Sequence, residues 1–217
     1  MPPSAVKLLV ATRNPGKARE IRDLFTSLPF QLVFPADQFL EQLPEEADLE
    51  RGTSFVENAV AKARYFAKRS GLPTLADDSG LEVDALQGLP GVHSARFAML
   101  YGDRAAIGAA GLDAANNALL LKRLEGVPDE QRSARYRCVV AYLETPHAAP
   151  QLVEATCEGR ILTAPEEGKG GFGYDPLFWS PELGASFAAA PLAAKQRVSH
   201  RGRALRALIE VLVRRLG

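Results

Sequence analysis

Two adjacent carboxylates, Asp77 and Asp78, close the short apolar run Leu72-Pro73-Thr74-Leu75-Ala76, and Ser79-Gly80 then turns the chain. Neighbouring carboxylates at the end of a buried segment repel each other, and desolvation adds to that cost. A cation at this point relieves both. Oxygen donors without clustered His or Cys suit magnesium better than zinc or copper. Asp-Asp-Ser-Gly is equally good turn chemistry, so the segment alone leaves a surface turn and a cation site both open.

Lys62 offers the complementary charge. Residues 54–69 predict a helix, with Ser54 as N-cap and Glu57 completing a capping box. At 100° per residue, Phe55, Ala59, Lys62 and Phe66 share one arc, so Lys62 stands in the middle of the apolar face. Either its stem snorkels to water or its ammonium points inward at anionic charge; the central placement favours the second. An acidic stretch, residues 35–52, contains Glu41, Glu45, Glu46, Asp48 and Glu50, and most of it reads as solvated surface.

Two further segments carry donors for oxygen ligands. Thr12-Arg13-Asn14-Pro15-Gly16-Lys17 reads as a loop between a strand and a helix, where backbone N–H groups at a helix N-terminus make an anion site. It is not a Walker A loop, because Ala11 replaces that motif's first glycine and Ala18 replaces the required Ser or Thr. In Gly168-Lys169-Gly170-Gly171-Phe172-Gly173-Tyr174-Asp175-Pro176 four glycines permit close backbone approach to a ligand. Phe172, flanked by glycines, is placed to stack on a flat ligand; a hairpin whose Phe and Tyr cap the core is the alternative. Lys195 then precedes Ser199-His200-Arg201-Gly202 at a predicted helix start, grouping several donors near a helix N-terminus.

The elements that must position these residues interleave. Residues 7–11 predict a first buried strand, and Ala18, Ile21, Leu24 and Phe25 recur at helical spacing after it. Residues 86–96 are rich in Gly and Pro and read as loop, and the Ala-rich residues 104–124 read as helix broken near Gly108 and Gly111. Residues 134–144 alternate as a strand, with residues 152–157 as its partner. From Ser199 a final helix presents Leu205, Leu208, Ile209, Leu212 and Leu216 to the core. The reading is one α/β domain, residues 1–217, with a mixed central sheet flanked by helices.

Lys+Arg and Asp+Glu each number 26, and the zero net charge argues against a protein that coats nucleic acid. Cys138 and Cys157 form no CxxC pair and read as buried free thiols. His93, His147 and His200 make no metal triad, and no Ser-His-Asp or Cys-His arrangement for a covalent intermediate is visible. Residues 1–7 lack the apolar core of a signal peptide and no stretch is long enough to span a bilayer, so a cytoplasmic location is expected.

Five of these blocks occur together in one order: Thr12-Arg13-Asn14-Pro15-Gly16-Lys17, Ser54-Phe55-Val56-Glu57-Asn58 with Lys62, Ala76-Asp77-Asp78-Ser79-Gly80-Leu81, Gly171-Phe172-Gly173-Tyr174-Asp175-Pro176 and Ser199-His200-Arg201. In this the chain resembles the noncanonical purine NTP pyrophosphatases, or inosine triphosphatases, over residues 7–212. The resemblance implies magnesium-dependent hydrolysis of ITP, dITP and XTP to the monophosphate and pyrophosphate by water attack at the α-phosphorus. It implies a long central sheet with a nucleotide cleft between two lobes, and a cytosolic homodimer; the charge balance and the lack of a spanning stretch argue against nucleic-acid and membrane partners. By the same likeness, Asp78 is metal ligand and general base, Glu50 a second metal ligand, and Lys62 a catalytic cation. Thr12, Arg13, Asn14, Pro15, Gly16 and Lys17 would hold the triphosphate, and Ser79 would touch substrate. Phe172 would stack on the base, Gly173, Tyr174 and Asp175 would line its pocket, and Lys195, His200 and Arg201 would read the purine edge. Arg13 departs from a glycine common at that position. The rivals are a Maf-type pyrophosphatase acting on pyrimidine or modified nucleotides, which the Phe172 and Ser199-His200-Arg201 blocks oppose, and a nucleotide-binding regulator, which Asp78, Glu50 and Lys62 oppose.

Overall fold

Apolar runs too short for helices alternate with helical periodicities along this chain, and each becomes the element its period demands. A computed structural model describes residues 6–108, 111–168 and 171–216. Lys169 and Gly170 of the glycine loop lie outside the described residues, as do residues 1–5. The elements are β1 (Val6–Val10), α1 (Pro15–Phe25), β2 (Phe30–Val33), α2 (Phe55–Ser70), β3 (Thr74–Val83), α3 (Phe97–Tyr101), α4 (Gly111–Arg123), β4 (Ser133–Leu143), β5 (Gln151–Ile161), β6 (Phe178–Ser180), β7 (Ala185–Ser186), α5 (Leu192–Val198) and α6 (His200–Leu216). The strands form one mixed sheet in the order β2-β1-β3-β4-β5-β6-β7. β1 is parallel to both β2 and β3, while β6 is antiparallel to β5 and β7. This is the expected α/β architecture with helices flanking a mixed sheet.

The chain makes up two compact units, neither continuous in sequence. One comprises residues 1–78, 138–155 and 202–217, the other residues 79–137 and 156–201. The first gathers Leu8, Val10, Ile21, Phe25, Leu75, Val140, Leu205, Leu208 and Leu212 into its core, with Ile209 packed against them. The expected core face of the last helix is thus observed; Leu216 falls outside the described side chains. The second packs Leu81, Val83, Leu120, Leu124, Tyr136, Ile161, Leu177, Phe178 and Phe187. Cys138 lies in the first core and Cys157 in the second; both are free thiols with no exposed surface. Among the described residues no helix is long and apolar enough to cross a membrane.

Two local expectations are corrected and a third is observed. The chain does not turn at Ser79-Gly80: the strand runs on to Val83, with Leu81 N–H donating to Ser94 Oγ at 2.8 Å. The helix after β1 begins inside the expected loop, at Pro15, because Asn14 Oδ1 accepts from Lys17 N–H at 3.1 Å and caps it. At α2, Ser54 is the N-cap as expected, its Oγ accepting from Glu57 N–H, and Glu57 Oε2 in addition takes the N–H and hydroxyl of Thr53. Elements too short or too irregular to mark themselves by period, such as β2, β6, β7 and α5, carried no periodic signal to read.

Candidate active site

In the first unit, the polar cluster forms beyond the carboxyl end of β1, where open α/β sheets usually place ligands, and takes in the middle of its parallel neighbour β3. β1 ends at Val10 and hands the chain through residues 11–14 to the capped N-terminus of α1. Its neighbour β3 pairs at Leu9–Thr74 and Val10–Leu75 and continues into Asp77 and Asp78. Both carboxylates are buried, at 2% and 6% exposure. Asp77 Oδ2 meets Lys17 Nζ at 2.9 Å. Asp78 Oδ2 accepts from Asn58 Nδ2 at 2.9 Å.

Lys62 points inward, as its place on the helix face predicted. Its ammonium donates to Glu50 Oε1 at 2.7 Å and to the Asp77 carbonyl at 2.6 Å, and lies 3.4 Å from Asp78 Oδ1. Burial alone would lower its pKa; Asp78, Glu50 and Asp77 outweigh that and raise it, so Lys62 stays charged. Gly52 lets the Glu50 segment lie against α2: a Cβ there would stand 2.6 Å from Asn58 Oδ1, which accepts Gly52 N–H at 2.8 Å.

Three carboxylates (Glu50, Asp77, Asp78) thus face two ammonium groups (Lys17, Lys62), an excess of one negative charge, with Asp77 and Asp78 buried and Glu50 open to solvent on one side. The donors are all oxygen, which fits a hard divalent cation and not zinc. Among the described residues no three His, Cys, Asp or Glu side chains gather as a complete metal cage. A cation held here by Asp78 and Glu50 would fill its remaining positions with water and substrate oxygens, as magnesium ordinarily does.

The second unit builds a different cluster. Asp175, 3% exposed, accepts from Lys195 Nζ at 2.7 Å, from Phe172 N–H at 2.8 Å and from Tyr136 Oη at 3.4 Å. That carboxylate folds the aromatic loop back on itself. Phe172 is half-buried, with Lys195 Nζ at 5.2 Å and Arg201 Cζ at 5.7 Å from its ring centroid. Gly173 is held at both ends by α4: its N–H donates to Asp113 Oδ2 at 2.8 Å and its carbonyl accepts from Asn117 Nδ2 at 2.9 Å. Tyr174 is a core residue whose hydroxyl donates to the Ser94 carbonyl at 2.8 Å. Burial, with a contribution from Asp113, pushes that phenol far up, so it stays neutral. His200 stacks on Tyr136 at 4.6 Å, and Arg201 Nη2 donates to Ser79 Oγ at 2.8 Å.

The expected residues therefore fall into two clusters. Asp78, Glu50, Lys62 and Lys17 gather in one unit, with Thr12 and the cap Asn14 leading into Pro15 and Gly16 at the start of α1. Ser79, Phe172, Gly173, Tyr174, Asp175, Lys195, His200 and Arg201 gather in the other. Arg13 joins neither: its guanidinium is committed to Glu46 and the Leu40 carbonyl. Reasoning from sequence missed Asn58, although its position four residues before Lys62 puts it on the same helical face. It also missed Asp113 and Asn117, which share one face of α4 by the same spacing.

These features define an α/β protein with an oxygen-rich, lysine-braced centre beyond the carboxyl end of β1 and along its parallel neighbour β3, and an aromatic, basic cluster on a glycine loop. The chain belongs to the Ham1 family, whose model matches residues 8–211. It is 44% identical over 209 residues to a dITP/XTP pyrophosphatase of Vibrio cholerae, covering 95% of this chain and 96% of that protein. A dITP/XTP pyrophosphatase of Geobacter sulfurreducens is 50% identical over 200 residues, 92% of each chain. A solved Ham1 protein from Coxiella burnetii superposes with a TM-score of 0.80 at 37% identity, covering 96% of this chain and 99% of that one.

Proposed function

We propose that the chain, residues 1–217 acting as one domain, hydrolyses dITP, ITP and XTP to the monophosphate and pyrophosphate. The observation that carries this is the Lys62 ammonium, held by Glu50, the Asp77 carbonyl and Asp78 in the middle of β3, in a chain half identical to an enzyme of that name. Phosphoryl transfer to water asks for positioning and charge neutralisation more than for a nucleophilic side chain. Asp78 accepts the proton of the attacking water and Asn58 fixes its carboxylate. Lys62 and Lys17 balance charge on the phosphates, and the N–H groups at the start of α1, with Thr12 and Asn14, receive phosphate oxygens. Asp78 and Glu50 would hold magnesium, which would supply Lewis-acid neutralisation of the developing charge.

The aromatic cluster takes the base. Phe172 stacks on the purine, and Gly173, Tyr174 and Asp175 shape the loop that presents it. Lys195, His200 and Arg201 offer donors to the C6 carbonyl oxygen that hypoxanthine and xanthine carry and adenine lacks; Ser79 holds Arg201 and contacts the substrate. We place the enzyme in the cytoplasm as a homodimer. The deciding experiment incubates the protein with dITP and magnesium and resolves the products. Deoxyinosine monophosphate and pyrophosphate are expected; deoxyinosine diphosphate with orthophosphate as the initial pair overturns the reading.

A further inference from the structure

We infer that Glu46 is a positioning residue for the phosphate end of this site, bracing the loop before α1 and the segment that carries Glu50 against the last turn of α2. The inference rests on the function proposed above. Glu46 belongs to an acidic stretch that reads as surface, yet its side chain is only 7% exposed. Its two oxygens take both forks of Arg13, Nε to Oε2 at 2.6 Å and Nη2 to Oε1 at 2.8 Å. Oε1 also accepts from Arg69 Nη1 at 3.1 Å and from Leu43 N–H at 3.3 Å.

Each arginine then uses another N–H to hold the chain leading to Glu46. Arg13 Nη2 donates to the Leu40 carbonyl at 2.9 Å, and Arg69 Nη2 donates to the Glu41 carbonyl at 2.9 Å. Aromatic rings back both guanidinium groups, Phe66 at 5.7 Å from Arg13 and Tyr65 at 5.3 Å from Arg69. One carboxylate thereby joins three parts of the first unit. Arg13 precedes Asn14, the cap of α1; Glu46 stands one helical turn's count before Glu50; Arg69 lies on the helix that carries Lys62 and Asn58. Bidentate Arg–carboxylate pairing fixes orientation as well as distance, so this cluster sets where the Glu50 carboxylate and the α1 N-terminus sit.

Glu46→Gln keeps the shape and leaves two guanidinium groups without their shared counter-charge. Four readouts test it on the full-length protein: the magnesium concentration for half-maximal dITP hydrolysis, KM for dITP, the ITP-to-ATP ratio of kcat/KM, and amide hydrogen exchange of residues 40–50. The magnesium midpoint and KM should each rise on the order of tenfold, since small misplacements of positioning groups cost that much or more. The base ratio should stay unchanged, because the aromatic cluster is untouched, and exchange in residues 40–50 should quicken. Arg13→Ala should act in the same direction, and the double variant should be no worse than Glu46→Gln alone. A lower melting temperature with unchanged midpoint, KM and exchange overturns the positioning role, as does full additivity of the two substitutions. If the wild-type protein releases no pyrophosphate from dITP, the functional reading fails separately, and the exchange comparison still decides whether Glu46 holds the segment.

Discussion

Lys195 Nζ and Asp175 Oδ2 stand 2.7 Å apart with each side chain only 4% exposed. Breaking a buried ion pair from one side leaves a desolvated charge and typically costs about 3–5 kcal/mol. Contact of the ammonium with the rings of Phe172 and Phe187 should hold Asp175→Asn near the lower end of that range. Adding Lys195→Met should recover part of the loss. Urea denaturation of the two single variants and the double gives the coupling; strict additivity would show that the pair is not a unit.

Two glycines of the same loop should differ. Gly171 and Gly173 both have positive φ, 91° and 61°. A Cβ at Gly173 meets nothing within 4 Å, whereas one at Gly171 would lie 2.7 Å from Asp175 Oδ2. Gly173→Ala should therefore cost only the left-handed backbone term, about 1–2 kcal/mol. Gly171→Ala should cost more and also raise KM for every purine substrate, because it displaces the carboxylate that shapes the loop. Equal melting temperatures and equal KM values for the two variants would contradict this.

Asp78→Asn keeps the side chain's volume while removing its charge. Turnover should fall roughly a hundredfold or more, within the range that loss of a general base gives, and the fold should persist. Steady-state kcat with a melting curve checks both; an Asn variant with wild-type kcat and undiminished magnesium dependence would take Asp78 out of the chemistry.

Stacking is blind to the edge pattern of a base, whereas hydrogen-bond donors are not. Phe172→Ala should weaken ITP and ATP alike, and Arg201→Ala should narrow the ratio between them. Each buried donor left unpaired costs about 1–3 kcal/mol, so two mismatches against adenine amount to roughly thirty- to twenty-thousandfold discrimination. A ratio of kcat/KM that survives Arg201→Ala but collapses in Phe172→Ala would exchange the two roles.

Acid should weaken the first unit through Glu46. Burial pushes its carboxyl up, but the bonds from Arg13 and Leu43 N–H and the charges of Arg13 and Arg69 outweigh this and lower it. A carboxyl lowered on folding contributes stability that is fully present above its unfolded value, about 4.3, and is lost as pH falls through the folded value. The melting-temperature gap between wild type and Glu46→Gln should be constant above about pH 5.5 and close as pH drops below the unfolded value. A gap that widens in acid would reverse the sign.

Reading the sequence recovered what periodicity encodes. The apolar arc that carries Phe55, Ala59 and Phe66 fixed the direction of Lys62, and the alternation through Tyr136, Cys138 and Val140 marked β4. Residues whose role depends on a partner distant in sequence stayed hidden. Glu46 reads as solvated acid because nothing near it reveals Arg13, 33 positions earlier. Asp113 gives no local sign that it will receive an N–H from Gly173, 60 positions on. At Ser79-Gly80 local chemistry favours a turn, while the ladder that keeps the strand extended to Val83 is a property of neighbouring strands.

Cys138 and Cys157, shielded from solvent in separate cores, make the chain its own opening gauge. A thiol-alkylating reagent can mark either sulfur only after its unit has opened. Mass spectrometry of the labelled peptides would thus time the opening of residues around Cys138 independently of those around Cys157, with no engineered probe. Nucleotide added to such a labelling series would show which of the two populations it slows.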